Sequence, residues 1–283
     1  MVYDGSTGTV LLLDGTDGMT WSWDGTTWTD LGVPAPSVGE PALAYDEARG
    51  EVVLFGGETG EGGGTNDTWT FDGTAWTELD PPTRPPARYG ASMVFDSARS
   101  VIVLFGGLNG VFMNDTWTWD GTTWIEVTPA ISPKPRYSEA LAYDRGAGQV
   151  VLFGGYVRKM ASCKPLHDTW TWDGTSWTQQ HPAVHPGARN SGGMVYDAAM
   201  ERTVLFGGVT CRAGRVTYLD NTWTWDGSNW MRMSPSASPS RRTGVPLAYD
   251  EARSEVVLFG GYARAYFDDT WTLGATGSTR AEL

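Results

Sequence analysis

The sequence predicts an all-β fold assembled from six copies of one antiparallel unit of about four strands. Three observations predict it. A double glycine recurs with a period of about fifty residues, as Gly56-Gly57, Gly106-Gly107, Gly154-Gly155, Gly207-Gly208 and Gly260-Gly261. Each pair closes a short unbroken apolar run, such as Val101–Phe105, which suits a strand covered on both faces. Beyond each pair stands a strand with period-two alternation, as in Thr116-Trp117-Thr118-Trp119, whose indoles share one face and hydroxyls the other.

The remaining strands follow in order. A short strand ending in aromatic-Asp precedes each apolar run: Tyr3-Asp4, Tyr45-Asp46, Phe95-Asp96, Tyr143-Asp144, Tyr196-Asp197 and Tyr249-Asp250. The Thr-Trp strand runs into a tight-hairpin signal such as Asp120-Gly121, and Trp124-Ile125-Glu126-Val127 returns as its partner. The first copy is weaker, with Val10–Gly15 and then Thr20–Gly25. The predicted units span residues 1–33, 40–80, 88–128, 136–179, 189–233 and 242–283, within one domain of 283 residues. The sixth has no Trp-bearing fourth strand. Either the tail Gly274–Leu283 fills that edge, or the last unit has three strands.

Four-stranded units of this length, each with Gly-Gly and then a Trp-containing strand, resemble kelch repeats. Six of them imply a six-bladed kelch-type β-propeller. The form Ala44–Gly57 (AYDEARGEVVLFGG) looks like the bacterial kelch proteins. Fold alone does not give function. Kelch domains that resemble this one hold acidic ligands with arginines at the start of the inner strand, and six-bladed members include a sialic-acid epimerase. The copper-radical oxidases of this fold need a Tyr, Cys and two His constellation that has no counterpart here.

Composition narrows the function classes. The 37 glycines suit a chain rich in tight turns, and no apolar run approaches a membrane span. A net charge of −13 argues against nonspecific nucleic-acid binding. A soluble monomer without a membrane partner is expected, cytoplasmic as encoded or extracellular if the chain is a fragment lacking its leader. The two cysteines, Cys163 and Cys211, occupy equivalent loops of adjacent units; a disulfide and a pair of free thiols both fit.

All fifteen tryptophans fall in third and fourth strands at equivalent positions, which marks them as wedges between units rather than a sugar-stacking surface. Asp67, Asp115, Asp168 and Asp269, each just before Thr-Trp, read as hydrogen-bonding residues at strand starts. Function is therefore sought where the copies differ. The first-to-second and third-to-fourth turns are short and uniform; the second-to-third loops vary widely, as in Tyr156–His167 and Val209–Asp220. Cations gather in those loops late in the chain (Arg158, Lys159, Lys164, Arg212, Arg215, Arg264), and acids early (Asp17, Glu40, Glu58, Glu61), so this end should be electrically lopsided.

One register within that set is informative. Arg88, Arg136, Arg189 and Arg242 each stand seven residues before the aromatic of an aromatic-Asp pair, with Val38 in the second unit. Such a ring should crowd a channel mouth, where a planar fork suits a carboxylate; the structural alternative has each arginine satisfying carbonyls or acids between units. With Arg158, Arg212, Arg264, Tyr89 and Tyr262 these form the candidate ligand-binding set. Glu139 and Glu40 alone interrupt the pattern of the inner strand with carboxylates, and Glu139 with Tyr137 is the candidate catalytic pair. His167, His181 and His185 lack a metal-ligand spacing, so neither a metal nor a cofactor is expected. Two functions stay open: capture of an acidic small molecule, sugar or peptide, and cofactor-independent isomerase, lyase or cyclase chemistry on a carboxylate-bearing molecule.

Overall fold

A computed structural model describes residues 1–15, 17–60, 62–157, 165–212, 214–274 and 277–281. The chain divides into two compact units, Met1–Tyr137 and Ser138–Leu283. Each unit holds three four-stranded antiparallel sheets. Sheets 1 to 3 begin at Val2, Ala42 and Ser92, and sheets 4 to 6 at Ala140, Gly193 and Leu247. Strands pair in chain order, and among the described residues two hairpins are inserted between second and third strands: Leu108–Asn109 with Val111–Phe112, and Val209–Arg212 with Arg215–Tyr218. Among the described residues no helix is long and apolar enough to cross a membrane.

The third sheet shows why the sequence folds this way. Val101–Phe105 pairs with Ser92–Asp96 on one side and Thr116–Trp119 on the other. As a central strand covered on both faces it has no use for alternation, and Ile102, Val103, Leu104 and Phe105 are 0% exposed. At the hairpin, Asp120 accepts hydrogen bonds from the Thr122 and Thr123 N–H groups and the Thr122 hydroxyl, which closes the turn. Asp24, Asp72, Asp173 and Asp226 hold their turns alike. The carboxylates of these five turns are therefore satisfied locally.

Apolar cores form between successive sheets of a unit. Val53 and Phe55 of sheet 2 meet Met93, Ile102 and Trp124 of sheet 3; Val151 and Phe153 of sheet 4 meet Met194, Leu205 and Trp230 of sheet 5. The fourth-strand tryptophans are the wedges. Trp76 donates its indole N–H to Thr20 of the preceding sheet at 3.0 Å, Trp124 to Thr68 at 3.0 Å and Trp230 to Thr169 at 2.9 Å. An indole thus buries its ring and satisfies its one polar atom in a single placement.

In the sixth sheet the tail supplies the fourth strand, settling the two alternatives: Gly277–Ala281 pairs with Thr270–Gly274 in regular register. Cys211 is disulfide-bonded, so among the described residues no cysteine is free; Cys163, the chain's other cysteine, lies outside the described residues.

Candidate ligand-binding site

The double glycines and the arginine register belong to one device. Gly57 donates its N–H to the Arg88 carbonyl at 2.9 Å, Gly155 to Arg189 at 2.9 Å and Gly208 to Arg242 at 2.8 Å, so each arginine backbone is fastened to the preceding sheet. A Cβ on Gly56 would come 2.5 Å from the Arg88 carbonyl oxygen, and one on Gly154 equally close to that of Arg189. Both glycines also have positive φ, 66° and 68°. Close approach and backbone conformation together exclude any side chain.

The guanidinium groups turn inward, against the expectation that they crowd a channel mouth. Arg88, Arg136 and Arg242 are 0% exposed and Arg189 2%. Arg88 donates to the Pro86 and Gly106 carbonyls and grips both oxygens of Asp115 at 2.8 and 2.6 Å. Arg242 repeats this with Ser240, Gly260 and Asp269, its guanidinium 4.0 Å from the centre of the Phe267 ring. Arg136 donates to the Lys134 carbonyl in the same register. These side chains have no free fork for a ligand. Burial pushes the Asp115 and Asp269 carboxyls up, but the arginines' hydrogen bonds and charge more than offset it and both lie below the usual carboxylate value. Arg189 differs: its partner is Asn221, at 2.8 Å, and burial pulls its pKa down to about 10. Where Val38 replaces the arginine, Asp67 accepts the Thr65 hydroxyl instead.

Two residues beyond each arginine, and beyond Val38 in the second copy, the backbone is left-handed, with φ of 48° at Glu40, 60° at Gly90, 52° at Ser138, 53° at Ser191 and 60° at Gly244. Gly90 donates to the Glu40 carbonyl, Ser191 to that of Ser138 and Gly244 to that of Ser191, at 2.8 to 2.9 Å. Glu40 therefore sits in a strained register that its equivalents fill with small residues. Its neighbours are Glu58, whose N–H and carbonyl pair with Gly39, and Tyr89. Partial loss of water, then the Glu58 charge, raises the Glu40 carboxyl above its usual value although the residue is exposed. The same two causes, with Glu40 added, raise the Tyr89 phenol. Glu139, by contrast, is 4% exposed, which removes it from reach of a ligand as folded. A Cβ on Gly155 would come 2.9 Å from its Cβ. Tyr137 packs its ring on Phe112 at 5.7 Å.

The exposed cations lie in the second unit. Arg212 and Arg215 face each other across the end of the inserted hairpin in sheet 5. Tyr262 and Tyr266 bridge to form a tight loop in sheet 6 with Arg264 at its tip. The Tyr218 and Tyr262 rings meet edge to face at 6.0 Å, and Tyr262 and Tyr266 lie 5.1 Å apart, so the two loops touch through aromatics. Tyr266 is 83% exposed. All three arginines are exposed, and no hydrogen bond or ion pair holds them among the described residues. Tyr218 and Tyr266 were not singled out by the sequence; the signal was there, in residues flanking the Arg-Ala-Gly-Arg and Tyr-Ala-Arg-Ala-Tyr turns. Arg158, Lys159 and Lys164 lie outside the described residues. His167 and His185 stack at 4.9 Å, and the described residues hold no cluster of three or more His, Cys, Asp or Glu that could bind a metal.

Comparison with known proteins places this geometry. The family described as the KLHDC2/KLHL20/DRC7 kelch-repeats domain matches residues 44–226. A solved structure titled "Structure of YjhT" superposes with a TM-score of 0.76 at 13% identity, over 97% of this chain and 95% of that one. Among curated proteins no relative is found. The recurring double glycines, the six four-stranded sheets and the family match lead to one conclusion: the chain belongs to the kelch-repeat family, with the fold of a six-bladed β-propeller.

Proposed function

We propose that this protein is a ligand-binding propeller that captures an acidic ligand on the aromatic and cationic loop tips of sheets 5 and 6. The observation that carries the reading is the meeting of Tyr218, Tyr262 and Tyr266 beside Arg212, Arg215 and Arg264, with those three cations unengaged among the described residues. An arginine fork matches a carboxylate with two parallel hydrogen bonds, and tyrosine faces cover a sugar ring or peptide plane at small entropic cost. The site is smaller than the sequence implied, because Arg88, Arg136, Arg189 and Arg242 are spent inside the fold.

A thermal-shift screen against acidic sugars, acidic peptides and their neutral counterparts tests it. Acidic ligands should stabilise the wild type, and Arg212→Ala/Arg264→Ala should lose that response while keeping its melting temperature. An acidic response that survives in this variant rejects the site.

A second reading has one observation in its favour. Glu40, its carboxyl raised above the usual value by partial burial and the Glu58 charge and lying beside Tyr89, is an exposed carboxyl group suited to proton transfer, which fits isomerase, lyase or cyclase chemistry without a cofactor. Glu40→Gln should then abolish turnover of a carboxylate substrate that still binds. Glu139→Gln should leave turnover unchanged, as expected of a residue 4% exposed.

A further inference from the structure

The wedge tryptophan is present at three of the four sheet interfaces inside the two units and absent at the fourth. In sheets 2, 3 and 5 the first residue of the fourth strand is Trp76, Trp124 or Trp230, paired with Phe71, Trp119 or Trp225. In sheet 6 the same register reads Leu273 paired with Ser278, so two aromatic positions are lost together.

A cleft of about 330 Å³, counting its part open to solvent, lies at that interface. Its lining matches the surroundings of Trp124 residue by residue. Val204 and Phe206 stand where Val53 and Phe55 do, Leu258 where Leu104 does, and Trp271 where Trp117 does. Thr222 pairs with Phe206 as Thr68 pairs with Phe55. Thr68 accepts an indole N–H at 3.0 Å, and the Phe55 ring lies 5.0 Å from the Trp124 ring. The interface of sheets 4 and 5 repeats both contacts, with Thr169 at 2.9 Å and Phe153 at 5.2 Å. The host at sheets 5 and 6 is therefore complete, while among the described residues no tryptophan takes the place of its usual guest.

We infer that this cleft is a binding pocket for an indole-like ligand, a flat bicyclic aromatic bearing one N–H. Phe206, Leu258 and Trp271 cover its faces and edge, and the Thr222 hydroxyl accepts its N–H. Apolar walls with one placed acceptor are the usual make-up of a small-molecule site. The pocket is independent of the loop tips proposed above, since none of its residues belongs to them.

Free indole is the direct probe. It should raise the melting temperature saturably and shift the methyl resonances of Leu258 and Leu273. N-Methylindole, which cannot donate, should bind about tenfold more weakly. Ser278→Trp should raise the melting temperature by itself and remove the indole response. If that variant does not fold, the wild type decides: equal affinity for indole and N-methylindole, or no saturable response to indole at millimolar concentration, overturns the assignment. An indole response that persists in folded Ser278→Trp also overturns it.

Discussion

Arg242 precedes the first strand of the sixth sheet and Arg264 follows its second, at the same end, and the two differ in almost every physical respect. Arg242 is 0% exposed, holds two carbonyls and both oxygens of Asp269, and lies over a phenyl ring. Arg264 is exposed at a loop tip with nothing holding it among the described residues. A buried ion pair has little net worth against an apolar replacement, yet leaving one member alone is costly. The first kind of arginine therefore builds the fold, and the second is open to a ligand. Arg189 falls between: buried like Arg242, but facing the neutral amide of Asn221.

The largest effect should come from breaking a complete pair. Asp269→Ala strands the Arg242 charge in the interior and should cost about 3–5 kcal/mol in chemical denaturation. A loss below about 1 kcal/mol would put the two classes of arginine on an equal footing. Next comes repair of the incomplete corner. Asn221→Asp exchanges a neutral partner for a charged one and should stabilise by about 1 kcal/mol. Its pH dependence has a definite sign. Asp115 and Asp269 have native pKa values below 3.8, so their stabilisation is present above the unfolded value and is lost as pH falls through the native one. A residue 221 carboxylate should behave alike: its advantage over wild type should begin to fall below about pH 4 and vanish as pH drops through its lowered native value. An advantage that persists in acid would trace to packing rather than to charge.

Smaller still is Glu40→Gln. A raised carboxyl pKa means that ionisation destabilises the folded state. The variant should melt slightly higher than wild type at pH 7, with the difference disappearing below the unfolded value of 4.5. No difference at any pH would place Glu40 among the freely solvated acids. Smallest is Arg212→Ala/Arg264→Ala, which should change stability by less than about 0.5 kcal/mol while removing the response to acidic ligands.

Periodicity made most of the fold legible. The double glycines, the Asp-Gly turns and the wedge tryptophans each recur because every copy meets the same neighbours, so repetition in sequence reports a repeated environment. The arginine register was equally visible, but its meaning was not. Arg88 and Asp115 are separated by twenty-seven positions, and only their packed geometry shows that they hold one another. Glu139 read as a channel-mouth base because its neighbours in alignment are small; burial, which no single sequence states, removes it from reach.

Sequence by itself determined the strand order, the six-fold repetition, the positions where only glycine fits and the loops that vary. Those features follow from local pattern: alternation, turn chemistry and backbone conformation act over a few residues. Tertiary structure alone decided which arginines are consumed and which stay open, that the tail completes the sixth sheet, and that residue 278 takes the register position filled elsewhere by a wedge tryptophan. Each of those depends on partners distant along the chain, where burial and charge pairing, rather than local preference, determine what a side chain is free to do.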